Sequence, residues 1–315
     1  MGLKILHSAD WHLDSPFAGF DDSQRALLKQ EQQSIPGKIS QLCRREKCDL
    51  MLLAGDIFDG EPTRENVYVF TGGLEAVTIP ELNCRVYGAG YQSMDSAPLL
   101  ENFRAEGSEK YCIAVLHGDP TRKDSPYCPI TAQQVRDSGL QYLALGHIHK
   151  AGAFHAGGTL CAWPGCPMGR GWDETGEKGV CIVTVEDSAS LRAVALDTIR
   201  FHELKADISS GAEAALEKIL PPAGSRDFFR VTLTGSGEAD ISRLTQRFSA
   251  VPNLTLRDET LPPLDIWGDT GADTLEGVYF RLLREAMEAD PDSREEIQLA
   301  AEISRKLLEG REVTL

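Results

Sequence analysis

Short apolar runs that stop at glycine, aspartate or histidine recur through the first part of the chain. "LKILHSAD", "CDLMLLAGD", "RVYGAG", "YCIAVLHG" and "QYLALGH" are each apolar for most of their length and end on polar residues. Continuous apolar runs of this size read as strands buried on both faces. Residues 21–47 read instead as a helix, interrupted at Pro36-Gly37, where the ring removes a donor and crowds the preceding turn. "NVYVFTGG" reads as a further strand. "AFHAGGTLCAWPG", then "GVCIVTVED" followed by "LRAVALDTIRF", read as antiparallel strands and hairpins. Parallel βα units followed by a meander predict an α/β domain, a layered mixed β-sandwich flanked by helices, over residues 1–200.

A smaller unit follows. "DFFRVTLTG", "EADISRLTQRFSAV" and "NLTLRDETL" read strand, helix, strand within an α+β unit at 201–265. The Pro and Gly content of "LPPLDIWGDTGAD" marks a linker, and two C-terminal helices complete residues 266–315. Leu275, Val278, Leu282 and Met287 would form one apolar stripe, and Ile297, Ala301, Ile303 and Leu307 a second. Ser293-x-x-Glu296 has the spacing of a capping box, and Gly310 closes the last helix.

Composition narrows the setting. The chain has 315 residues, 42% of them hydrophobic, which suits a globular protein with a substantial core. Its apolar runs are too short to span a bilayer, and "MGLKILHSADWH" lacks both a signal-peptide core and a cleavage site. Met1-Gly2 opens the chain, but Leu6 stands where myristoylation requires Ser or Thr. These features predict a cytoplasmic protein without a membrane partner. The eight cysteines are scattered with no C-x-x-C pair, as expected for reduced, buried thiols. At a net charge of −16 the overall field repels nucleic acid, so a polyphosphate substrate would need local divalent cations or a basic partner.

The strand ends hold the candidate chemistry. In "LALGHIHK", His147 and His149 are two apart and point to one side of an extended segment, as do Asp10 and His12 in "SADWH". Asp56 ends "AGD" and His117 ends "VLH". Solvated histidines at a strand end would explain one such pair. Carboxyl ends of strands gather in one crevice of an α/β sheet, so all six could also meet. Carboxylates and imidazoles without cysteine suit manganese, iron or zinc in an open catalytic site.

D-x-H, G-D-x-x-D, H-G and G-H-x-H, in that order, resemble the calcineurin-like metallophosphoesterase superfamily. "HSADWHLDSPF" and "PGCPMGRGWDETGEKGV" are similar to the SbcD-type DNA repair exonucleases, in particular their YhaO-like branch. The resemblance implies two divalent metal ions, Mn2+ first, with Fe or Zn as alternatives. Asp10, His12, Asp56 and His149 would hold one ion, and Asp56, His117 and His147 the other, with Asp56 bridging. It further implies DNA as substrate, an SbcC-like ATPase with a coiled coil as partner, and pairing of two copies as a homodimer. A phosphatase of the same superfamily and a non-catalytic scaffold for the ATPase are the alternative readings. His7, His155 and His202 match no ligand motif, and Asp14 and Asp59 are assigned to supporting loops.

One family element has no counterpart. The G-N-H-D loop, whose Asn completes the second metal site and whose His is associated with leaving-group protonation, does not occur. Asn83 in "PELNCRV" precedes cysteine within what reads as a continuing strand. Parallel neighbours need a crossover of about 10–12 residues including a helix, and "IFDGEPTRE" between "LMLLAGD" and "NVYVFTGG" leaves no room for one. The resemblance therefore implies a segment absent around residues 63–66, with weak or no activity expected of the chain as it stands.

Overall fold

Two sheets packed face to face make up the first of two compact units. The computed structural model describes residues 2–57, 68–90, 98–262, 264–311 and 313. The first unit runs through Glu203 and includes Arg226–Phe229, and the second comprises Leu204–Ser225 and Arg230–Leu315. The first unit opens with β1 (Leu3–Ala9), α1 (Asp22–Glu46), β2 (Leu50–Ala54), β3 (Glu75–Ile79), β4 (Cys84–Gly88) and β5 (Tyr111–His117). They are followed by α2 (Ala132–Asp137), β6 (Tyr142–Gly146), β7 (Gly152–Ala156), β8 (Thr159–Trp163), β9 (Gly179–Val185) and β10 (Ala189–Ala195).

The first sheet has the order β10-β9-β1-β2 and the second β3-β4-β5-β6-β8-β7. In the first, β1 and β2 are parallel, and β9 runs antiparallel to β1. In the second, β4, β5, β6 and β8 are parallel, with antiparallel β3 and β7 at the edges. Alternation assigns the layers: Leu3 and Ile5 face inward with Leu52 and Val183, against Val86, Ile113, Tyr142 and Ala144 of the second sheet. Leu6, one residue out of phase, joins Val180 and Ile182 on the outer face, which α1 covers with Leu28, Ile35, Ile39 and Leu42. Leu143 and Leu145 face the other way, under Val135 of α2. The result is the expected layered sandwich flanked by helices.

Several local expectations give way to burial. Helix α1 is continuous through Pro36. Interior proline costs about 3 kcal/mol, but Leu28, Ile35, Ile39 and Leu42 are buried on either side of it, each worth about 1.5–3 kcal/mol. The described residues of "NVYVFTGG" form no strand. Tyr68 and Val69 are exposed, and the next strand is β3, antiparallel to β4. The crossover argument therefore loses one of its two strands, and the connection itself, residues 58–67, lies outside the described residues. Asn83 does not continue a strand. It sits in the left-handed region at φ 48 and its side chain accepts from Lys110 N at 3.1 Å, at the amino ends of β4 and β5.

The second unit takes in most of β11 (Phe201–Asp207) and β12 (Phe228–Thr234) with α3 (Ala212–Ile219), α4 (Ile241–Arg247) and β13 (Leu254–Asp258), in sheet order β11-β12-β13. Val231, Leu233, Leu216, Leu244 and Phe248 form its core. Helices α5 (Leu275–Ala289) and α6 (Arg294–Leu308) follow. Their buried positions are Gly277 and Phe280, and Ala301 and Arg305; the Arg305 guanidinium stacks 4.1 Å over the Phe280 ring and pairs with Glu276. The apolar stripes expected from spacing are in part exposed, Leu275 at 90%, Leu282 at 57% and Leu307 at 66%. The capping box does not form, because Ser293 Oγ donates to Asp290 Oδ2 at 2.8 Å instead. No helix among the described residues is long and apolar enough to cross a membrane.

His7 joins the two sheets, its Nδ1 lying 2.7 Å from the Tyr142 hydroxyl. Burial pulls its pKa down from 6.5 to about 3, against an opposing contribution from the Leu145 backbone. As pH falls below 6.5 the unfolded chain takes up a proton that the folded chain refuses until about pH 3. Stability present above that window is lost through it, at up to ~1.4 kcal/mol per pH unit. Urea unfolding of wild type and His7→Gln across this range should show a flatter pH dependence for the variant. Parallel curves would contradict the assignment.

Candidate metal centre

The carboxyl ends of β1, β2, β5 and β6 meet at one edge of the sandwich, and two glycines permit the approach. A Cβ on Gly146 would lie 2.5 Å from Gly55 N and 2.6 Å from Gly55 Cα, and Gly55 itself has φ +74. The chain beyond β1 turns sharply, with Asp10 at φ 48 and His12 at φ 47, and His147 beyond β6 is at φ 104. Such conformations cost of order 1–3 kcal/mol each and persist where surroundings impose them.

Those surroundings are hydrogen bonds. The buried Asp10 carboxylate accepts from His147 N at 2.9 Å and from Asp56 N at 3.2 Å. Asp10 N donates to Ala54 O at 3.1 Å and His12 N to Asp56 O at 2.9 Å. Gln32 of α1 donates through Nε2 to His12 O at 2.7 Å and accepts from Asp14 N at 3.1 Å. Gln32 thus holds this turn by its backbone, and the Asp14 contact is made by its N–H rather than its carboxylate.

All six candidate ligands lie among the described residues. One ligand atom each from Asp10, His12 and His149 falls within 4.8 Å of the others, and His12 Nε2 is 3.3 Å from His149 Nε2. Two imidazole nitrogens facing one another beside a carboxylate fit a divalent cation of intermediate hardness. Asp56 adjoins this group through its backbone. On the other side the His117 and His147 rings lie 4.9 Å apart, with Tyr127 4.5 Å from His147. Burial lowers the pKa of His117, against the charges of Asp56 and Asp10. Burial raises the Asp10 carboxyl despite neighbouring imidazoles and N–H groups. His155 is exposed, and His202 pairs with Asp227 at 3.0 Å.

Glu174 and Arg170 belong to the site but were not singled out from sequence. Glu174 Oε1 lies 2.7 Å from His149 Nδ1, and Arg170 Nη2 lies 2.7 Å from the same oxygen. Burial alone would raise the Glu174 carboxyl, but His149 and the Arg170 guanidinium outweigh it and hold the group well below the usual carboxylate range. Cys166 Sγ is 3.6 Å from Glu174 Oε2, and burial pushes its thiol up to about 12. The signal in the sequence was the "GRGWDET" stretch itself, whose i,i+4 Arg-Glu pair has no helical periodicity around it.

Residues 3–188, more than half of the chain, match the model of the calcineurin-like phosphoesterase superfamily domain. The chain is also 29% identical over 237 residues to the uncharacterized metallophosphoesterase YhaO of Bacillus subtilis (strain 168), across 58% of this chain and 57% of that protein. The aligned part thus spans little more than half the length of that relative.

The glycine contact gives a direct test. Gly146→Ala would drive a Cβ into the backbone of Gly55 and Ala54, at 2.5–2.7 Å, and should both lower the melting temperature and remove divalent-metal binding measured by calorimetry. Gly37→Ala, in α1 with nothing within 4 Å of its Cβ, should instead stabilise by up to ~1 kcal/mol and leave binding unchanged. Unaltered binding in Gly146→Ala would refute the close approach.

Proposed function

The chain belongs to the calcineurin-like phosphoesterase superfamily, whose members are divalent-metal-dependent phosphoesterases, and from that premise we propose that it cleaves phosphodiester bonds in DNA as the exonuclease subunit of an SbcCD-like repair complex. The observation that carries the reading is the convergence of Asp10, His12 and His149 beside the His117–His147 pair, with Asp56 between them in sequence and joined to Asp10 through its N–H. Asp10, His12, Asp56 and His149 would hold one ion, and Asp56, His117 and His147 the other. Mn2+ is the first choice and Fe or Zn the alternatives, because the donors are carboxylate and imidazole.

Bound there, the ions would acidify a water and stabilise charge on the phosphoryl oxygens. The chain's own contribution is placement. Asp10 is fixed by two backbone donors, His12 by Gln32 through its carbonyl, and His149 by Glu174. The "GRGWDETGEKG" stretch supports the nuclease reading over a phosphatase, since it is the part of the sequence similar to the SbcD-type enzymes. The exposed leucines of α5 and α6 support docking to a coiled-coil ATPase. Such a partner would also offset the −16 charge, which by itself disfavours DNA.

A second reading, a scaffold for that ATPase without its own catalysis, is favoured by the lack of the G-N-H-D loop in the sequence. An assay on full-length protein, its mass verified, with Mn2+ and linear duplex DNA separates the readings. Release of nucleotides that His149→Ala abolishes is the expected result. Hydrolysis of an aryl phosphate monoester alone would support a phosphatase. Intact manganese binding without hydrolysis of either substrate would support the scaffold.

A further inference from the structure

We propose that Glu174 and Arg170 are positioning residues that fix the tautomer and orientation of His149, so that the loop at 169–174, together with the strand ends, sets the affinity of the metal site. The inference rests on the reading that Asp10, His12 and His149 hold a divalent ion. A histidine ligand binds metal through a bare ring nitrogen, and its other nitrogen must carry the proton and find an acceptor. His149 presents Nε2 to His12 at 3.3 Å and Nδ1 to Glu174 Oε1 at 2.7 Å. The Nδ1 proton then lies on the Glu174 side and the Nε2 lone pair on the side of Asp10 and His12. Solvated imidazole prefers the opposite tautomer, with the proton on Nε2, which would block this coordination.

Glu174 is built for holding rather than for coordinating. Its side chain is 4% exposed. Oε2 accepts from Arg170 N at 2.8 Å, while Oε1 takes Arg170 Nη2 at 2.7 Å as well as His149. Arg170 Nη2 also lies 3.1 Å from His149 Nδ1. A guanidinium only donates, so that contact by itself would call for a bare Nδ1; the shorter contact, 2.7 Å to the Glu174 carboxylate oxygen, which only accepts, favours the proton on Nδ1. The loop is itself anchored. Gly169 closes on Glu174, where a Cβ would meet the Glu174 carbonyl oxygen at 2.5 Å. Trp172, between the pair, turns to the opposite side and packs edge-on against Phe201 at 5.2 Å. The ring of His149 is thereby held by a part of the chain some 25 residues on, independently of the turn after β6.

The test reads metal affinity and tautomer on the full-length protein. In metal-free wild type, long-range proton–nitrogen NMR of the imidazoles, with His149 identified by its loss in His149→Gln, should show His149 protonated on Nδ1. Glu174→Ala should move the proton to Nε2 and weaken Mn2+ binding in calorimetry by ~10–100-fold. Glu174→Gln, which keeps an acceptor oxygen and serves if the alanine variant does not fold, should retain the Nδ1 tautomer and recover part of the affinity. Arg170→Met should weaken binding less than Glu174→Ala. Unchanged tautomer and affinity in Glu174→Ala would overturn the proposal, as would an Nε2-protonated His149 in the wild type. Wild type that binds no Mn2+ would overturn the metal reading and the affinity claim with it, whereas the metal-free spectrum separately decides whether Glu174 sets the tautomer.

Discussion

A single buried carboxylate closes the end of the sandwich. Asp10 leaves β1 of the first sheet and accepts the N–H of Asp56, which follows β2 in the same sheet, and that of His147, which follows β6 in the other. Burying a carboxylate is costly unless hydrogen bonds and opposite charge repay it. Backbone donors of both sheets offset part of that cost here, so separating the sheets at this edge would strip the carboxylate of its hydrogen bonds. Gly55 and Gly146 are the steric counterpart, since neither position has room for a side chain.

The same contact creates the chemistry. Because Asp10 draws the two strand ends together, His12 from the first sheet and His149 from the second come nitrogen to nitrogen, and the His117 and His147 rings meet edge to face nearby. Left-handed backbone at Asp10, His12 and His147 shows that the turns follow the site rather than their own preference. Two further parts of the chain hold what the strands bring: α1 through Gln32 at the His12 carbonyl, and the 169–174 loop through Glu174 at the His149 ring.

How much of this is legible in sequence depends on whether the signal is local. Strands β1, β2, β5 and β6 are near-continuous apolar runs, and their polar ends carry the candidates Asp10, His12, Asp56, His117, His147 and His149, of which the structure brings Asp10, His12 and His149 together. Pro36 misleads because the cost of an interior proline is local, whereas the burial that overcomes it is tertiary. Tyr68 and Val69 carry the strand pattern but are exposed among the described residues. On α5, Leu275 and Leu282 fit a helical stripe, but the buried positions are Gly277 and Phe280, where Arg305 stacks; periodicity cannot anticipate an arginine as the packing partner. Glu174 was not named because its role comes from a loop folding back on a histidine, a relation that no spacing encodes.

The most direct measurement is anomalous diffraction at the manganese edge from crystals of the protein equilibrated with Mn2+. The account requires an anomalous peak within coordination distance of Asp10 Oδ, His12 Nε2 and His149 Nε2, with His149 Nδ1 still bonded to Glu174. A peak elsewhere on the surface, or none at saturating Mn2+, would contradict the claim that the closure of the two sheets by Asp10 is what builds the metal centre.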